Sequence, residues 1–186
     1  KGYSARDMDL IQSVQGEDDR VDAFNRSIND YLSQLREGMT ADEARWQFVL
    51  QTFVNDLESA GDVVDRSLCD MLRKQTALAV FLPEADYRAL RDLHERVSAR
   101  LNIAIGFLAS RGVGDVEGFL NGKETLNMWC RELQSRHYER LYKAAASDLA
   151  ASAFFLDLLN GLRLFNSHIT AIGYAIAKPR SKRLKG

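Results

Sequence analysis

Phe53-Val54-Asn55-Asp56-Leu57-Glu58-Ser59-Ala60-Gly61-Asp62-Val63-Val64 carries apolar residues at helical spacing and sets two carboxylates, Glu58 and Asp62, one turn apart on one edge. A later stretch, Leu158-Leu159-Asn160-Gly161-Leu162-Arg163-Leu164-Phe165-Asn166-Ser167-His168-Ile169, repeats the frame. Asn55 falls on Asn160, Leu57 on Leu162 and Val64 on Ile169, a shift of 105 positions. The same shift lays Ile11 on Val116, Val14 on Phe119, Val21 on Leu126, Phe24 on Trp129 and Ile28 on Leu133. Two helices agreeing on one offset point to an internal duplication.

The 186 residues are 46% apolar and 27% charged, with only two prolines. That mixture suits amphipathic helices with one sizeable core, and it predicts an all-α protein. A formal charge of −1 gives no field to steer the chain toward nucleic acid. Cys69 and Cys130 are far apart on helical patterns and are read as reduced thiols of a cytosolic setting. No run approaches the roughly 20 apolar residues of a membrane span, and no charged-then-apolar leader is visible. A start at Lys1 rather than Met reads as a piece of something longer.

Five long helices follow from periodicity and punctuation. The first, about Ser4 to Glu37, has the near-heptad stripe Ile11, Val14, Val21, Phe24, Ile28, Leu32 and Leu35, and Gly38 stops it. Thr40 with Glu43 is a capping box for the second, which carries Trp46, Leu50, Phe53, Leu57, Ala60, Val64, Leu68 and Met71 to about Ala79. Pro83 suits the first turn of the third, which ends near Gly112. The fourth begins after Gly112-Val113-Gly114-Asp115. A fifth, capped by Ser147 or Asp148, runs to about Ala177. The expected architecture is an antiparallel bundle of two degenerate repeats: residues 1–111 as a three-helix unit, 112–177 as a shortened unit packed on it, and 178–186 as a basic mobile tail.

The candidate chemistry is carboxylate. In the first helix the stripe steps from Val14 to Asp18 before Val21, placing an acid where a core residue is expected, and Asp22 follows one turn on. A desolvated carboxylate calls for a cation or strong hydrogen bonds opposite it. Packed as a hairpin, the first two helices bring Asp18, Asp22, Glu58 and Asp62 toward one groove, an oxygen-only donor set for a divalent or iron- or zinc-type metal ion. The competing reading is that Asp22, Glu58 and Asp62 are solvated helix faces paired with Arg20, Arg26 or Arg66. At the shift of 105 the four acids become Lys123, Asn127, Arg163 and Ser167, so any such site belongs to the first repeat alone, and Lys123 and Arg163 suit acids or an anion.

Other motifs fall away. Gly122-Lys123-Glu124-Thr125 lacks the first glycine and the strand of a phosphate loop. His94, His137 and His168 have no zinc-site spacing and are read as hydrogen-bonded helix residues. No nucleophile elbow occurs, though triads assemble in space, and the absence of Glu-x-x-His pairs argues against a carboxylate-bridged di-metal oxidase.

Asn55-Asp56-Leu57-Glu58 to Gly61-Asp62, Asp18 to Asp22, Tyr31-Leu32, His137 to Leu141, Leu156 to Leu159 and Asn166-Ser167-His168-Ile169 followed by Ala171 to Tyr174 resemble the PhoU-like domain at the cytoplasmic C-terminus of bacterial sodium/phosphate cotransporter family proteins. Asn-Ser-His-Ile is the most specific element. Gly161 stands where that family usually has Asp. The resemblance implies a helical-bundle regulatory domain without catalysis, soluble itself, held at the cytoplasmic face of the inner membrane by a parent transporter and acting in phosphate transport. It also implies metal at the acid-x-x-x-Asp pairs Asp18 to Asp22 and Glu58 to Asp62. Expected partners are the parent's membrane domain, a second copy as a homodimer, and the membrane surface through Lys178, Arg180, Lys182, Arg183 and Lys185. The alternative is a metal-independent adaptor bundle acting through protein contacts.

Overall fold

Alternating apolar stripes and short punctuated breaks leave the chain little choice but helices packed on helices. The computed structural model describes residues 8–35, 38–143 and 149–177. It contains α1 (Met8–Gln34), α2 (Ala41–Asp62), a π-helical turn (Val63–Cys69), α3 (Asp70–Ala77), α4 (Glu84–Ala109), α5 (Val116–Lys143) and α6 (Leu149–Ala177). There is no strand among the described residues, and the architecture is an all-α bundle. The expected caps at Ser147 and Asp148, the ends of the first helix before Met8 and after Leu35, and the basic tail with Lys178, Arg180, Lys182, Arg183 and Lys185 lie outside the described residues.

Most boundaries follow from local chemistry. Thr40 Oγ1 accepts from the Glu43 N–H (3.3 Å) while Glu43 Oε2 accepts from the Thr40 N–H (2.8 Å), a reciprocal capping box. Gly112, at φ +80°, closes the turn after α4 by donating to the Phe107 carbonyl (2.7 Å), a backbone position that favours glycine. Asp115 then caps α5 by accepting from the Gly118 N–H (2.8 Å). Pro83 precedes α4 as its N-cap rather than entering its first turn.

α6 is the axis of the core. Apolar nearly all round, with Asp157, Arg163 and His168 its only acidic or basic side chains, it packs against α2, α4 and α5. Phe155, Leu158, Leu159, Leu162 and Ile169 are buried there with Leu90, Leu93 and Val97 of α4 and Leu126, Cys130 and Leu133 of α5. A second cluster joins Val49 and Phe53 to Phe107, Phe119 and Ile172, with Phe107 and Phe119 edge to face at 5.3 Å between ring centres. Cys69 and Cys130 are free and buried, and burial lifts the Cys130 thiol to about 11.

Two expectations are corrected. The second helix does not run as regular α-helix to Ala79: Val63–Cys69 widens into a π turn, and the rod stops at Ala77, with Ala79 at φ +50°. The π turn packs on α6, where the missing side chain of Gly161 admits Leu68. A Cβ there would lie 2.7 Å from Leu68 Cδ2. In α1, Ile11 and Leu32 are buried, but Val14, Phe24 and Ile28 are exposed, as is Leu35 just after the helix. α1 packs on α2, the π turn and α3, so only one side of its stripe finds neighbours.

Candidate functional site

The α1–α2 hairpin does bring acids together. Asp18 is half-buried against the backbone of Gly61, whose lack of a side chain makes room for the carboxylate; a Cβ there would sit 2.9 Å from Asp18 Oδ1. Burial raises the Asp18 pKa above its ordinary value. Asp65, Asp22 and Asp62 add to that rise through their negative charge, and Arg66 works against it. Asp65, in the π turn, was not singled out in the sequence, although its place three residues after Asp62 is one helical turn. Its Oδ1 is buried without a hydrogen-bond partner.

The remaining acids have neighbours of their own. Asp62 pairs with Arg66 at 3.2 Å and Asp22 with Arg26 at 3.7 Å, while Glu58 faces the Ser59 hydroxyl at 3.4 Å and is not among the charges that act on Asp18. Arg20 turns to Glu17 instead. Among the described residues no three His, Cys, Asp or Glu side chains are gathered closely enough to hold a metal ion as they stand. The donor chemistry suits a hard cation, and Asp65 supplies an oxygen without a donor, but two of the four sequence-predicted acids are held by arginines.

Below the acids the hairpin is tied by amides. Asn25 Nδ2 donates to the Val54 carbonyl (3.2 Å) and Asn29 Nδ2 to Asn55 Oδ1 (2.9 Å). His168, in the Asn-Ser-His-Ile element, approaches Asp56 of α2 at 3.5 Å. Burial pushes the Asp56 carboxyl up, and His168 pulls it back.

The half without acids is organised by an arginine that sequence reasoning passed over. Arg100 of α4 donates through Nε to Asn166 Oδ1 (2.6 Å) and through Nη2 to Thr170 Oγ1 (3.0 Å), with its guanidinium 4.5 Å from the centre of the Phe119 ring. Asn166 and Thr170 are fully buried, and burial pushes the Arg100 pKa down. Asn166 Nδ2 finds no partner. Lys123, at the position matching Asp18, lies 5.6 Å over the Tyr174 ring.

A second buried network joins α4, α5 and α6. His137 Nδ1 lies 3.0 Å from Asp86 Oδ2, His137 Nε2 lies 2.8 Å from Ser152 Oγ, and Arg140 also pairs with Asp86. The order Ser–His–Asp is that of a hydrolytic triad. Ser152 is only 7% exposed, however, and the imidazole stacks on Phe155 at 4.4 Å. The arrangement fully satisfies a neutral imidazole, which donates from Nδ1 and accepts at Nε2, and burial keeps its pKa low. Nothing in the spacing of residues 86, 137 and 152 signals it.

An apolar cavity of about 390 Å³ opens between α1, the π turn, α4 and α6, with Ile11, Leu68, Cys69, His94, Leu158 and Phe165 among its lining residues. No described helix is long and apolar enough to cross a membrane.

No family model matches this chain. Curated relatives do. Over 160 residues it is 22% identical to the protein of Salmonella typhimurium (strain LT2) named "Putative inorganic phosphate export protein YjbB", and equally to the proteins of that name in Escherichia coli O157:H7 and K12. The match takes in 85% of this chain and 29% of each relative, so the chain spans less than a third of their length.

Proposed function

We propose that this chain is a non-enzymatic, PhoU-like regulatory domain of a sodium/phosphate cotransporter family membrane protein, acting on phosphate transport from the cytoplasmic face by contact with the membrane domain of its parent. The observation that carries this reading is the likeness, along 85% of the chain, to proteins named for inorganic phosphate export. The all-α bundle and the Asn-Ser-His-Ile element on its central helix support it. The test is phosphate flux in cells expressing the parent protein with and without this segment. A changed rate or a changed response to phosphate supply is expected; identical flux with equal membrane abundance would sink the reading.

Within that function, Asp18, Asp22, Glu58 and Asp62, with Asp65 beside them, are proposed to take a hard divalent or iron-type cation. A cation there would supply positive charge between α1 and α2 and offset the repulsion that raises Asp18. A metal-independent adaptor is the second reading, and the pairs Arg26–Asp22 and Arg66–Asp62 favour it.

A further inference from the structure

We infer that the apolar cavity between α1, the π turn, α4 and α6 binds a small neutral amphiphile, with its hydrocarbon body inside and one hydroxyl or carbonyl group at the rim beside His94 and Ser98.

Four helical segments supply the floor. Ile11 of α1, Cys69 of the π turn, Leu90 and Val97 of α4 and Leu158 of α6 line it, each at most 3% exposed. None of the described residues lining the cavity is an Asp, Glu, Lys or Arg. Close-packed interiors hold few voids larger than a water molecule, so an apolar space of about 390 Å³ is a ligand-sized opening. An apolar cavity of about 150 Å³ takes benzene, which scales here to a hydrocarbon of roughly ten to fifteen carbons. The internal duplication points to the origin of the space. At the shift of 105, Val14 matches Phe119 and Leu68 matches Gly173. Phe119 fills its half of the bundle: it is 4% exposed, its ring lies against Gly173, where a Cβ would come within 2.9 Å, and Arg100 covers it. Val14 lacks that ring, is 36% exposed, and borders the open cavity. The π turn forms one wall through Leu68 and Cys69, and such widened turns recur at ligand sites.

The rim selects the head group. His94 and Ser98 stand one turn apart on α4, the first exposed and the second half-buried. Partial burial holds the His94 imidazole below its ordinary 6.5, so at neutral pH it offers a donor and an acceptor without charge, and the Ser98 hydroxyl likewise gives and takes. A hydroxyl or carbonyl suits both. A carboxylate does not: burial first, then the charges of Asp65, Asp70 and Asp18, hold the Cys69 thiol above its ordinary 9.0 against the pull of Arg73, so the field at this wall is negative. An ammonium would give up hydration to a lining that holds no acidic side chain.

The test is a fluorescence titration of this chain with N-phenyl-naphthylamine, a neutral fluorophore that brightens in apolar surroundings, followed by displacement with decanol, decanoate and decylamine. Saturable binding is expected, with decanol displacing the probe about tenfold more readily than either charged relative and raising the melting temperature. Val14→Phe, which copies the ring of Phe119, and Ser98→Phe, from the α4 wall, each weaken probe binding by about tenfold or more with unchanged circular dichroism. Ala99→Phe, on an exposed site of the same helix, leaves it unchanged; if Val14→Phe does not fold, Ser98→Phe decides. No saturable binding, folded Val14→Phe and Ser98→Phe variants that bind like wild type, an Ala99→Phe variant equally weakened, or decanoate or decylamine displacing as well as decanol overturns the proposal. So does probe binding that appears only on dilution, which assigns the cavity to a contact between copies. The phosphate-transport reading does not depend on any of these outcomes.

Discussion

Asp18 of α1 stands against Gly61 of α2 with less than the space of a methyl group between them: a Cβ at Gly61 would lie 2.9 Å from Asp18 Oδ1 and 3.7 Å from Val21 Cγ1. The glycine that precedes Asp62 thus lets a carboxylate occupy the helix interface.

Asp18→Asn is expected to raise stability at neutral pH. The folded-state pKa of Asp18 lies above its ordinary 3.8, so the folded protein holds that proton more tightly than the unfolded chain. The contribution of this group to stability is therefore greatest below 3.8 and falls as pH rises through the raised value. Urea midpoints should show the variant ahead of wild type at pH 7 and level with it at the lowest pH at which both fold. A variant less stable at pH 7 would mean that Asp18 has a favourable partner.

Gly61→Ala sets about 1 kcal/mol of helix propensity against displacement of the Asp18 carboxylate, the mobile end of a side chain. The expected result is a protein as stable as wild type or slightly more so, and less able to hold a cation. A clear loss of stability would show that the carboxylate cannot move aside.

Metal content separates the two readings of the acid groove. Protein purified without chelator should carry a divalent or iron-type metal, and the Asp18→Asn, Glu58→Gln double variant should carry none. Near-zero metal in both leaves the adaptor reading in place.

His137→Ala should cost about 3–5 kcal/mol, because it strands the buried Asp86 beside Arg140 and leaves Ser152 without its acceptor. The folded pKa of His137 lies below 6.5, so its contribution is complete above 6.5 and is lost as pH falls through the folded value. Thermal melts of wild type should show that acid loss, and His137→Gln should flatten it.

Gly122→Ala and Arg100→Ala should be non-additive. A Cβ at Gly122 runs into Arg100 Nη1, and this guanidinium is held by Asn166, Thr170 and the Phe119 ring. Gly122→Ala alone should destabilise by about 1–3 kcal/mol, and in the Arg100→Ala background the cost should vanish. Equal cost in both backgrounds would place the strain elsewhere.

Period and punctuation made the bundle legible. The capping box at Thr40, the break from Gly112 to Asp115 and the nearly uncharged 149–177 helix each act within a turn or two of chain, and they appear where local chemistry puts them. Asp22, on the same helix, and Asp62, across the hairpin, both act on Asp18. Spacing carried no sign of Asp65's buried oxygen, of Arg100 reaching residues 66 and 70 positions away, or of His137 between Asp86 and Ser152. Those contacts join helices whose separation along the chain says nothing about their rotation against one another.

Helicity, helix order and the oxygen-rich character of the first hairpin were set by the sequence alone, because propensity, caps and amphipathic period act over a few residues. Which side of each stripe is covered was decided only by packing. α1 and α5 carry matching apolar lines, yet α4 lies along α5 and leaves Phe24 and Ile28 of α1 facing solvent. The same packing let Leu68 of the π turn close on Gly161 and left Asp18 and Asp65 sharing an edge with Arg66 as the opposing charge. Burial depends on what lies opposite a residue, and that follows from how whole helices dock rather than from any local run of sequence.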